Sequence, residues 1–385
     1  MNKQTLIEKL KQDGFTDIRV CPIPPNQDLP EHTHDEHTVH IILDGELTIT
    51  DADGTKLFRS GDRVEFPAGT THKARGATDN GTMVIGVKTN YRSMQKILPC
   101  LWFDDNAEEA AEFYTNIFPN SKIHKIVPYT VETPSNKPIG SVMTVSFELD
   151  GYSFFGLNGG PYFKPNPSIS FHIKCKTIEE VDSYYEKLSE NGKILMELNE
   201  YPFSKKYAWV EDQFGVSWQI IYTEKNFNQK IVPAFLFTQN MCGKAREAIK
   251  KYVEIFPESK IDLILEYGKN EFNEKEDNVM YSEFTLVNEE FIAMDSGMNH
   301  KFKFSEGISL MIECKDQNEI DYFYEKLSAF PEAEICGWLK DKYGVSWQLI
   351  TPDFVKLDKN KKVMEAILKM KRLDLAKLKQ AYGEK

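Results

Sequence analysis

Five of the eight histidines in this 385-residue chain fall between positions 32 and 72, and no other residues make as strong a chemical case. His32 and His34 flank a single residue, so in an extended segment both imidazoles project from one face. His37 and His40 follow, and His72 closes the run FPAGTTH. Three imidazoles gathered from adjacent strands, with coordination positions left open, suit one divalent transition metal such as Zn, Fe, Mn or Ni. An open ion of that kind polarises oxygenated substrates or activates dioxygen. The bland alternative is a metal-free polar pocket lined by the same rings. Elsewhere the sequence offers no P-loop, no Ser-His-Asp order and no zinc-protease motif. The six cysteines, Cys21, Cys100, Cys175, Cys242, Cys314 and Cys336, form no C-x-x-C pair and read as reduced, buried thiols.

The elements around the histidines are short strands. Residues 20–90 lack a helical period and carry turn dipeptides at Asp44-Gly45 and Asp53-Gly54, which predict hairpins in a small barrel or jelly roll. This stretch resembles the cupin family. His32, His34 and Gly45 match its first motif, with Thr38 where a Glu is expected; Gly61, Pro67, Gly69 and His72 match its second at every position. The resemblance implies an all-β cupin barrel over 1–92, with metal ligands His32, His34 and His72. His40 shares the parity of Thr38, so it also faces the barrel interior and could complete the site, with Thr38 in the pocket wall. His37 is expected in an exposed turn.

Beyond residue 93 the chain repeats itself. FYTNIFPNSKI from Phe113 is answered by KYVEIFPESKI from Lys251, CKTIEEVDSYYEKL from Cys175 by CKDQNEIDYFYEKL from Cys314, and DQFGVSWQII from Asp212 by DKYGVSWQLI from Asp341. The offsets are 138, 139 and 129 positions, so about ten extra residues sit in the first copy, read as a loop insertion around Glu197 to Lys206. Strands at Leu98–Phe103 and Val232–Phe237 lead into amphipathic helices, and period-two strands follow at Val142–Leu149 and Met280–Val287. A second strand-helix pair begins at Ser168 and Gly307. Each copy is therefore two β-α-β-β-β modules, giving domains 93–225 and 226–352. A last helix from Val363 to about Tyr382, with its apolar stripe on Val363, Ile367, Met370, Leu375 and Leu378, occupies 353–385.

The repeated modules resemble the vicinal-oxygen-chelate superfamily of glyoxalase and bleomycin-resistance proteins, above all its PhnB-like branch. PCLWFDDNAEEAAEFYTNIFPNSKI and DQFGVSWQI carry the likeness. In metal-dependent members two modules form a bowl around a divalent ion. Its ligands are a His or Gln at the end of the first strand, a His early in the second module and a Glu on the last strand. The resemblance puts these at Pro99-Cys100 and Pro233-Ala234, at Ser170 and Ser309, and at Gln219 and Gln348. None is an imidazole or a carboxylate, so no metal is expected in the repeats. His172 lies two residues past Ser170 on the same face, but Met311 stands there in the second copy. Ser170 with Gln219, and Ser309 with Gln348, are candidates to orient a polar ligand, with Trp218 and Trp347 as aromatic walls; core packing is the alternative for the tryptophans. The branch is often labelled 3-demethylubiquinone-9 3-methyltransferase. Methyl transfer is not expected, because the glycine-rich run from Phe155 to Gly160 leads into PYFKPNP rather than into a helix.

A net charge of −12 argues against nucleic acid as a partner. No stretch is apolar enough to span a membrane, and MNKQTLIEKLKQDGF lacks the apolar core of a secretory signal. A cytoplasmic protein with a small-molecule ligand is expected, and a homodimer is compatible with the sequence. Two functions follow: a small-molecule-binding protein with one metal in the cupin domain, or an enzyme in which that metal performs dioxygenase, isomerase or lyase chemistry.

Overall fold

The computed structural model describes all residues except 1–2, 13–14, 16, 34–36, 52–53, 67–69, 78, 89–94, 270–273, 352–359 and 384–385. His34, Asp53, Pro67 and Gly69 lie outside the described residues. The chain divides into two compact units, 1–94 and 95–385. No described helix is long and apolar enough to cross a membrane.

In the first unit, alternation decides which side chains meet. Two four-stranded antiparallel sheets share a core: Ile23, Ile42, Phe66 and Met83 come from one sheet, and Leu47, Ile49 and Ala74 from the other. Val39, Ile41 and Val84 take the opposite parity and bury Leu6 and Leu10 of the helix Lys3–Gln12. This is the strand arrangement the cupin resemblance implies. Asp44-Gly45 is not a hairpin turn. His37–Asp44 and Glu46–Asp51 belong to different sheets, so Gly45, at φ +84°, turns the corner between them. A Cβ on Gly45 would meet the Cα of Gly81 at 2.8 Å. The second dipeptide does mark a hairpin, with Asp51 paired to Gly54.

The second unit holds four modules, at 97–158, 169–222, 231–295 and 308–350. Each opens with a strand, crosses over through a helix and ends on a strand that lies parallel beside the first. The helices are Ala107–Ile117, Ile178–Ser189, Ala245–Ile255 and Gln317–Leu327. Thr177 and Asp316 cap two of them by accepting the N–H of Glu180 and Glu319, whose side chains reach back to the N–H of Lys176 and Lys315.

The repeats exchange partners in the sheets. The first strand of module one, Ile97–Phe103, pairs antiparallel with Ile308–Glu313 of module four; Ile169–Cys175 of module two pairs with Ile231–Phe237 of module three. One seven-stranded sheet therefore joins modules one and four, and one eight-stranded sheet joins modules two and three. The eight-stranded sheet takes four strands from each sequence repeat, and the seven-stranded sheet four from the first and three from the second. The repeats close on their helix side instead, where Tyr114 of module one donates to Asp212 of module two at 2.8 Å, and Tyr252 to Asp341 at 2.7 Å.

Three expectations change. The insertion at 197–206 is not a loop, because it extends a hairpin of Lys193–Tyr201 and Ser204–Glu211. The fourth module is not β-α-β-β-β, since among its described residues only Trp338–Lys340 and Ser346–Ile350 follow the helix as strands. The terminal helix is two helices, Lys361–Ile367 and Leu375–Tyr382. They break where the carbonyls of Met370 and Lys371 turn to accept the N–H groups of Cys336 and Gly337, and Asp374 caps the second helix through Lys377 N. Leu373, not Met370, supplies the fully buried contact at the break.

Candidate functional site

Parity assembles the histidine cluster. Thr38, His40 and Ile42 point from one strand into the space between the two sheets of the first unit, and all three are buried. His32 and His72 are register partners on the facing sheet, so both rings stand on one face. The centroids of His32 and His72 lie 4.6 Å apart and those of His40 and His72 6.3 Å, with Phe66 stacked on His72 at 4.0 Å. His72 is buried and His32 exposed, which sets the cluster at a mouth rather than deep in the core. His37 stands apart, paired with Glu65 at 2.8 Å.

The donor set tests the metal expectation. Two imidazoles on one ion, with metal–nitrogen bonds of about 2.1 Å, hold their ring centres roughly 5 Å apart. His32 and His72 meet that spacing, and His40 would have to swing inward by about 1 Å. His32 Nδ1 lies 2.9 Å from the carbonyl of Pro30. A carbonyl only accepts, so the proton sits on Nδ1 and the lone pair on Nε2, the tautomer a metal requires. Among the described residues, no three His, Cys, Asp or Glu side chains already stand as a metal-holding group.

In the repeat unit the expected pairs do converge, each within one sheet. Gln219 donates to Ser170 at 2.8 Å and Gln348 to Ser309 at 2.8 Å. In the eight-stranded sheet, Ser170 is the register partner of Ala234, and His172 that of both Gln219 and Val232. Tyr207 adds a donor, its hydroxyl 2.6 Å from Gln219 Oε1. In the seven-stranded sheet, Ser309 pairs with Cys100 and Met311 with Gln348. Burial pushes the Cys100 thiol up to about 11, against hydrogen bonds from Gln348 and Ser309. Leu98, Met311 and Ile350 surround it, making this site the more apolar of the two.

Trp218 and Trp347 do not line these sites. Each precedes its glutamine by one residue, so it points to the other face of the sheet, where it is wholly buried. Trp218 packs on Phe118 and Phe171, and Trp347 on Tyr252 and Phe256. Their indole N–H groups donate to Asp212 at 2.8 Å and Asp341 at 2.9 Å. Those two carboxylates went unmarked in the sequence although both copies carry them. Asp212 accepts four hydrogen bonds, from Tyr114, Trp218 and the N–H groups of Phe214 and Val216, and burial still lifts it to about 6. Tyr207 left no sequence signal, because it flanks the insertion and has no counterpart in the second copy.

Comparison with known proteins gives two family matches. The family described as 3-demethylubiquinone-9 3-methyltransferase matches residues 95–221 and again 229–350, and the cupin domain family matches 19–87. Among solved structures, the chain is similar to a PhnB protein from Bacillus cereus at 40% identity, covering 34% of this chain and 100% of that one with a TM-score of 0.31. It is similar to a protein from Staphylococcus aureus at 30% identity, with 34% and 98% covered and a TM-score of 0.15. A cupin superfamily protein from Desulfitobacterium hafniense shares 23% identity, with 18% and 63% covered and a TM-score of 0.17. No curated protein matches.

Proposed function

This chain belongs to the family described as 3-demethylubiquinone-9 3-methyltransferase through both of its repeats, and on that premise we propose that it is a small-molecule-binding protein. In this reading one divalent transition metal is held in its cupin domain and none in the repeats. The observation that carries the binding reading is the paired contact of Gln219 with Ser170 and of Gln348 with Ser309, each 2.8 Å and each buried. Neutral amides and hydroxyls orient a polar ligand well. They bring no charge to offset the dehydration of a divalent cation.

Methyl transfer fits these modules poorly. The glycines at 156–160 do not open a helix that could receive a nucleotide. A Cβ on Gly159 would sit 2.2 Å from the Trp102 ring, whose N–H donates to Gly160 O at 2.7 Å. Gly159 makes room for an indole.

In the cupin domain His32, His34 and His72 would hold the ion, with His40 as the fourth ligand in place of the carboxylate that Thr38 replaces. Bound there, a divalent metal would supply Lewis acidity to an oxygenated ligand. Elemental analysis of protein purified without added metal tests the assignment. At most one transition metal per chain is expected, lost in His72→Ala. Two or more metals, or full retention in that variant, would overturn it.

A further inference from the structure

The two sheets carry the same Gln–Ser contact, but their surroundings differ. On the eight-stranded sheet His172 occupies the place that Met311 holds on the other. His172 is only 4% exposed, and among the described residues nothing hydrogen-bonds to its Nε2. A buried imidazole nitrogen without a partner is costly unless something else meets it. Burial, reinforced by the Lys174 ammonium and opposed by the neighbouring Gln219 side chain, pushes this imidazole down to about 3, so the ring is neutral at any physiological pH. Lys174 itself is paired with Glu290. The polar groups around His172 are the Gln219 amide, the Ser170 hydroxyl and the Tyr207 hydroxyl, with Tyr281, its ring 6.5 Å away, donating to the Glu283 carboxylate beyond.

A second feature is the hairpin at the edge of this sheet. The ten-residue insertion of the first copy builds a hairpin whose tip presents Phe203 to solvent, 62% exposed. Tyr201 stacks on Phe203 with centroids 5.6 Å apart, and Tyr207 meets both edge-on at 5.5 and 5.0 Å. Tyr207 also holds Gln219. Ring contacts thus link the exposed Phe203 to the buried Tyr207 that holds Gln219 beside His172. Among the described residues, the other sheet has at this edge the short strand Trp338–Lys340, whose Trp338 is the register partner of Gln348 and meets Trp102 edge-on at 5.9 Å.

We propose that the eight-stranded sheet, and not its seven-stranded counterpart, is the ligand site of the repeat unit. Its ligand is an uncharged aromatic molecule bearing a hydroxyl, the ring received by Tyr201, Phe203 and Tyr207 and the hydroxyl by His172 Nε2. An anionic ligand would be desolvated with the Glu283 carboxylate nearby, whereas a hydroxyl satisfies the unmet nitrogen at little desolvation cost. Flat aromatic surface favours a ring in offset or edge contact.

This rests on the binding reading above, and the test separates the two. The probes are 1-naphthol and 1-naphthoate, titrated calorimetrically into the full chain. One equivalent of 1-naphthol should bind, with 1-naphthoate at least tenfold weaker. His172→Met, which copies the other sheet, should weaken 1-naphthol at least tenfold. Phe203→Ala, an exposed substitution that leaves folding intact, should weaken it at least threefold. Tyr162→Ala removes an equally exposed aromatic elsewhere and should change nothing. Tighter binding of 1-naphthoate, two equivalents of 1-naphthol, or wild-type affinity in both His172→Met and Phe203→Ala would overturn the inference. Loss in Gln348→Ala with retention in His172→Met would move the ligand to the other sheet and leave the binding reading standing. If neither probe binds, the inference fails; the binding reading falls as well only if a broad fragment library yields no ligand sensitive to Gln219→Ala or Gln348→Ala.

Discussion

Glu289 begins the last strand of the third module and is almost wholly buried. Its Oε1 accepts the N–H groups of Lys96 at 2.6 Å and Ile97 at 2.8 Å, tying the second repeat to the entry of the first. Burial raises its carboxyl from 4.5 to about 8, against the lowering effect of those two bonds. The folded chain therefore keeps this proton over a pH range in which the unfolded chain has released it. Stability from this group is fully present below pH 4.5 and is lost as pH rises toward 8. The slope is about 1.4 kcal/mol per pH unit, so the loss is about 3 kcal/mol at pH 7 and at most about 5 kcal/mol at pH 8. Glu289→Gln keeps the accepting oxygen and the shape of the protonated acid but cannot ionise. Urea unfolding of the full chain between pH 4.5 and 8, following the transition of the repeat unit, measures the difference. The two proteins should coincide at pH 4.5, and the Gln variant should gain steadily above it. Parallel profiles, or a Gln variant less stable at pH 8, would refute the reasoning.

Tyr114→Phe and Tyr252→Phe each remove one donor to a buried carboxylate and should each cost about 1.5–3 kcal/mol in the same assay; losses under about 0.5 kcal/mol would show that the helix-side closure does not depend on Asp212 and Asp341. Burial raises the thiols of Cys100, Cys175 and Cys314, so iodoacetamide at pH 8 should label them only after unfolding, and rapid native labelling read by mass spectrometry would contradict their burial. Because each sheet needs modules from both repeats, residues 93–225 alone expose the edges of Ile97–Phe103 and Ile169–Cys175. That fragment should form a homodimer that rebuilds the pairing between two copies, and a folded monomer by light scattering would argue against the exchange.

Much of this was legible in the sequence because period-two alternation assigns faces without knowing the fold. It placed His40 beside Thr38 in the interior, whereas the meeting of Ser170 with Gln219 was expected from the resemblance to the vicinal-oxygen-chelate superfamily. Applied once more, alternation rules out Trp218 and Gln219 sharing a face, since neighbours in a strand point opposite ways. The repeat motifs likewise fixed four modules and their order. Alternation says nothing about which strand lies alongside, because every strand edge offers the same backbone donors and acceptors. Segments 159–168, 223–230 and 296–307 connect the modules, and nothing in them reveals that modules one and four share a sheet. That choice came from side chains far apart in the chain finding each other, as Tyr114 finds Asp212 and Glu289 finds Lys96 and Ile97. The asymmetry between the sites was decided the same way. His172 is one residue in the sequence, and only the stacking of Tyr201, Phe203 and Tyr207 above Gln219 gives it surroundings that Met311 lacks.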